Sequence, residues 1–108
     1  MTQFDFGAGP VPAHQHPNGG GWVADTASVA VTAYVGPDAR VYGDAQVFGD
    51  ARVFGAAEVS GNAEVSGNAQ VYGDARVYGR ARVYGRAWVS GAAEIYGNTR
   101  VFDDTVMT

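Results

Sequence analysis

From Val23 onward an aliphatic residue returns at every sixth position: Val23, Val29, Val35, Val41, Val47, Val53, Val59, Val65, Val71, Val77, Val83, Val89, Ile95 and Val101. A small residue follows each of them four positions later, alanine from Ala27 to Ala93 and then Thr99 and Thr105. From Val41 to Ile95 a glycine also follows two positions later, running from Gly43 to Gly97. Such a period marks a repeat array. A helix does not accommodate it. Six residues at about 100° each scatter the valines over three helix faces, and each interior glycine costs about 1 kcal/mol against alanine.

A short strand followed by a corner accounts for every position. In Ala-x-Val-x, alanine and valine stand two apart and point the same way, inward, while their neighbours point outward. Glycine with Asp, Asn or Arg then makes the corner, because glycine reaches positive φ without steric cost. Three strands and three corners give a triangular coil of about 18 residues, and residues 22–105 supply about 4.7 coils of parallel β-structure. One hexad buries nothing alone. Stacking creates the core. The expected fold is therefore all-β: a single-domain triangular parallel β-helix over residues 22–105, preceded by an extended N-terminal arm, 1–21, and followed by a tail, 106–108.

The rest of the composition narrows the function classes. The chain has 108 residues, no cysteine and a net charge of −4, and all seven of its cations are arginines. Disulfides and thiolate metal sites are excluded, and the acidic balance argues against a nucleic-acid binder. No apolar run approaches the roughly 20 residues of a membrane span. The start, MTQFDFGAGP, lacks the basic and apolar regions of a secretion signal.

The motif V-x-G-[DN]-A-x resembles the hexapeptide repeat of left-handed parallel β-helices, as in acyltransferases and γ-class carbonic anhydrases, although here glycine stands one position later than usual. The resemblance implies a left-handed coil. It also implies self-association, commonly as a homotrimer. Bactofilin filaments are similar triangular coils of the opposite hand. The lead-in HPNGGGWVADTASVAVTAYVGPDA resembles that of small hexapeptide-repeat proteins of bacteria and phages, most of them without assigned activity.

Chemistry finds little purchase. The array from Val41 to Val101 carries no inserted loop to cradle a coenzyme, so the resemblance to acyltransferases carries over no catalytic residue. A γ-class zinc site needs three histidines, and the chain has His14 and His16, both in the arm. Ser60, Ser66 and Ser90 have no histidine nearby in the array to activate them. No catalytic, metal or cofactor-binding residue is assigned, and no cofactor is expected.

Interaction surfaces are the better candidates. In the arm, whose prolines and glycines argue against helix or strand, Phe4, Phe6, Val11, His14 and His16 are the expected docking groups, with Trp22 as a lid on the first coil. On one face of the prism Tyr34, Phe54, Tyr72 and Trp88 form the expected self-association surface. Arg40, Glu58, Arg76 and Glu94 alternate in sign one coil apart and read as a ladder of ion pairs. Arg76, Arg80, Arg82 and Arg86 form a candidate patch for an anion or an acidic partner. Asp103 and Asp104 replace a glycine corner and read as a guard against fibre growth.

The sequence thus points to a non-enzymatic structural or adhesive prism. By resemblance it is an accessory phage virion component, a capsid decoration or tail-associated protein, which docks through its arm and self-associates. Its expected partners are itself and a capsid or tail, with no membrane; its expected place is the virion surface, or otherwise the cytoplasm. The alternatives are a degenerate acyltransferase, a γ-class carbonic-anhydrase-like protein and a bactofilin-like scaffold.

Overall fold

A computed structural model describes residues 2–108 and shows a column of stacked three-sided coils, with no helix among those residues. Its extents are 40 × 25 × 19 Å. Each coil places one short strand on each of three faces, and each strand pairs in parallel with the strand three hexads further along, as Val23 does with Val41, Val47 with Val65 and Val53 with Val71. The first face carries Val23, Val41, Val59, Val77 and Ile95; the second Val29, Val47, Val65, Val83 and Val101; the third Val35, Val53, Val71 and Val89. The third face closes on the strand Val106–Met107, which pairs with Trp88–Val89. Residues 106 and 107, expected as tail, thus belong to the array, with Met107 in the aliphatic position.

The interior is the two columns foreseen. The valines from Val35 to Val89 and the alanines from Ala33 to Ala87 are wholly buried. Val29 is only partly buried, because no strand lies above it on the second face.

Corners come in two kinds. From Gly43 to Gly97 every corner glycine has φ between 62° and 69°, and those followed by a further glycine corner sit directly on it. A Cβ on Gly55 would stand 2.8 Å from the Gly73 amide nitrogen, so the column needs glycine both for φ and for close approach. The first three corners place Asp25, Val31 and Pro37 there, and none has positive φ. Proline cannot adopt it. At two of these corners a hydroxyl serves the ladder: Thr26 Oγ1 donates to the Gly43 carbonyl and Thr32 Oγ1 to that of Gly49. Further down, the backbone amides of Asp44 and Asp50 serve the carbonyls of Gly61 and Gly67. The last corner gives Asp103 a φ of 57°.

The arm differs from expectation. It forms an antiparallel hairpin of β1 (Gln3–Asp5) and β2 (Pro10–Gln15), and β2 continues onto β3 (Trp22–Ala24), the first strand of the column. Its prolines are compatible with pairing because strand amides alternate in direction. Ala13 N bonds Thr2 O on the β1 side, so the missing donors of Pro10 and Pro12 face away from β1. Trp22 is no lid. It points outward on the first face, where Phe4 stacks on it at 4.8 Å and the Arg40 guanidinium lies 5.2 Å from the Phe4 ring. Phe6 stacks on Tyr42 at 4.9 Å.

The end of the column is closed by residues 16–21. His16 is buried, and its Nε2–H donates to the Ala33 carbonyl at 2.8 Å, where Asn18 Nδ2 also donates at 3.1 Å. Val35 N donates to Asn18 O and Gly21 N to Val35 O. A Cβ on Gly19 would collide with the Val35 carbonyl, and one on Gly21 with that of Gly36. The glycine run permits this contact.

Candidate functional site

Outward side chains fall into columns with one residue per coil, and the columns on each face make its chemistry. On the third face the expected surface residues do share one side. Tyr34 and Trp88 stand in the column before the valines, with Arg52 and Gln70 between them; Phe54 and Tyr72 stand in the column after. Phe54 and Tyr72 are stacked at 4.9 Å with an interplanar angle of 5°. Trp88 is 45% exposed, and Ser90, two residues on, is buried. Where this face meets its neighbouring corner, Asn18, Thr32, Tyr34, Asp50, Arg52, Phe54, Asn68 and Gln70 line an open groove of about 820 Å³.

The first face holds no ladder of ion pairs. Tyr42 Oη donates to Glu58 Oε1 at 2.9 Å, and Tyr78 Oη to Glu94 Oε1 at 3.0 Å. Each glutamate accepts a bond from a tyrosine one coil above, and neither makes an ion pair with Arg40 or Arg76. The cause is geometric: a tyrosine two residues along the strand reaches diagonally to the next coil. Burial, and then the bond to Glu58, raises the Tyr42 pKa above the ordinary 10.0. The bond to Glu94, and then burial, does the same for Tyr78.

The arginine patch is regrouped. Arg76 points out of the first face, in register between Glu58 and Glu94. Arg82 points out of the second, and its register partner in the next coil is Arg100. Arg80 and Arg86 sit at the corners flanking the strand Arg82–Val83. Beside this group Tyr84 and Phe102 stack at 5.4 Å and 11°. Arg100 was missed because grouping arginines along one coil overlooks the step from each coil to the next.

The docking groups are dispersed. Phe4 and Phe6 lie against the first face, and His16 is spent on the cap. Val11 is 39% exposed. His14 is also exposed, and its Nδ1 lies 2.7 Å from Asp25 Oδ1. The two imidazoles are thus engaged separately, and among the described residues no three His, Cys, Asp or Glu side chains gather to hold a metal. An apolar crevice of about 340 Å³ lies between the hairpin and the first corner, walled by Phe6, Val11 and Tyr42. Thr26 and Thr32 complete the first coil's ladder, and the signal for this in the sequence is their place beside corners that lack glycine.

Residues 45–61, 69–80 and 75–91 match the YdcK β-solenoid repeat. No curated protein and no solved structure matches the chain. With the strands of the column paired coil to coil in one constant register, and these stretches similar to a known solenoid repeat, the chain is a repeat β-helix protein.

Proposed function

We propose that this column is a non-catalytic structural and adhesive module that assembles with copies of itself, as a trimer, through the third face. The exposure of Trp88 beside the Phe54–Tyr72 stack carries the reading. A large aromatic left half-open on a flat, rigid sheet is a usual anchor of a protein interface. The filled interior supports it too. Valine and alanine, with Ile95, fill the core, so reactive groups would have to work from flat outer faces.

The module serves as an accessory component of a larger particle, a phage capsid or tail, an assignment supported by the resemblance of its lead-in segment. Attachment falls to the outer surface of the hairpin, where Val11 and His14 are exposed. Light scattering tests the assembly: the intact protein should have three times the chain mass, and Trp88→Arg should reduce it to one chain with an unchanged circular dichroism spectrum. A monomeric parent, or an arginine variant that stays trimeric, overturns the self-association. Mass spectrometry of purified particles tests the location, and absence from them overturns it.

A further inference from the structure

The second face carries an electrostatic anomaly. Arg82 and Arg100 are register partners on adjacent parallel strands, where like charges destabilise each other. Arg80 and Arg86 add a cation at each flanking corner. Four of the seven arginines of a chain with net charge −4 thus gather over two coils. Glu64 approaches Arg82 at 4.0 Å, and Asp104 lies one coil beyond Arg86. Among the described residues no carboxylate comes within ion-pairing distance of Arg80, Arg86 or Arg100. Glu64 answers Arg82 alone, so Arg80, Arg86 and Arg100 keep their charge free for an anion from outside.

The neighbouring side chains say which anion. Tyr84 and Phe102 stack nearly parallel at about the spacing of the coils, so their ring faces lie along the column and their edges point outward. Ring edges carry the positive part of the aromatic quadrupole. They favour an anion and offer no platform for a base, which nucleic-acid surfaces use. The side-chain amide of Gln46 and the hydroxyls of Ser66 and Tyr84 share this face, and none of the three makes a side-chain hydrogen bond among the described residues. Guanidiniums for acid groups beside free amide and hydroxyl groups suit a ligand rich in both carboxylates and hydroxyls.

We propose that the second face, centred on Arg82 and Arg100, binds an acidic polysaccharide through its carboxylates. Guanidinium pairs carboxylate oxygens in a planar, two-bond geometry. The site lies on a different face from the one proposed for self-association, so either can fail alone.

Binding of the intact protein to size-defined oligogalacturonate at low ionic strength, followed by calorimetry, tests it. The parent should bind, more weakly as salt rises. Arg82→Gln with Arg100→Gln should weaken binding about tenfold or more. Arg40→Gln with Arg76→Gln removes the same charge from the first face and should leave binding within about twofold. Absence of parent binding overturns the proposal. So does an equal loss in both double variants, which would mean that net charge alone attracts the glycan. Tighter binding of single-stranded oligothymidylate, lost in the Arg82/Arg100 variant, would assign the face to nucleic acid and overturn it as well.

Discussion

The Tyr78 hydroxyl donates to Glu94 Oε1 at 3.0 Å across the boundary between two coils, and Tyr42 repeats the bond with Glu58 at 2.9 Å. Both bonds need the neutral phenol. They raise the tyrosine pKa values above the ordinary 10.0, for Tyr42 after the larger effect of burial. A raised folded-state pKa contributes stability that is complete below the unfolded value and is lost as pH rises through the folded one. Ultraviolet titration should show two of the six tyrosines ionising later than the rest, with stability falling over the same alkaline range. Glu58→Gln should bring Tyr42 back toward the others; a Tyr42 unmoved by that change would remove Glu58 as a cause.

Corner glycines should differ in cost by what lies beneath them. Gly55 and Gly97 have nearly the same φ, 65° and 64°, but a Cβ on Gly55 meets the Gly73 amide at 2.8 Å while one on Gly97 meets nothing within 4 Å. Alanine at Gly97 should cost about 1–2 kcal/mol, the left-handed penalty alone. Alanine at Gly55 should cost clearly more. Asp103→Gly relieves the same penalty and should add about 0.5–1 kcal/mol. Urea unfolding of the three variants ranks them, and equal losses at Gly55 and Gly97 would contradict the tight stacking of corners.

Thr26→Val and Thr32→Val remove the hydroxyls that serve the Gly43 and Gly49 carbonyls. Each should destabilise by about 0.5–1 kcal/mol, since the bonds are exposed. Serine in their place should restore most of it. Thermal unfolding distinguishes the pair, and a serine variant no better than valine would deny the hydroxyl its part.

Removing residues 2–21 strips the cap over Val35 and the rings from Trp22 and Tyr42. A loss of roughly 2–4 kcal/mol is expected from the two phenylalanines, with increased binding of a hydrophobic dye. The segment is thus part of the fold rather than an appendage, and a truncated protein as stable as the parent would refute this.

The column itself was legible because its signal is redundant. Each valine and alanine repeats a vote for the same period, and wrong periods place glycine inside a helix or valine outside a sheet. The hairpin was not legible, since Pro10, Pro12 and the surrounding glycines carry the composition of an irregular tail. Only the pairing partner reveals that the missing donors face away from β1, with Pro12 just beyond the residues paired to β3. The faces were legible in part. Counting in coils puts Tyr34, Phe54, Tyr72 and Trp88 on one face, whereas nearness along the chain puts Arg76 with arginines that stand elsewhere. The glutamates of the first face were matched to arginines by charge, and the structure pairs them with tyrosines because reach across a coil, not sign, decides the partner.

Because neighbouring strands match only at a spacing of three hexads, the molecule can lengthen only in certain quanta if its surfaces are to survive. Adding three hexads lengthens it by one storey and keeps each side's chemistry aligned. Adding a single hexad keeps the interior intact but rotates everything downstream by a third of a turn. Placed between Arg82 and Arg100, it would leave a well-filled column whose two cations looked out in different directions.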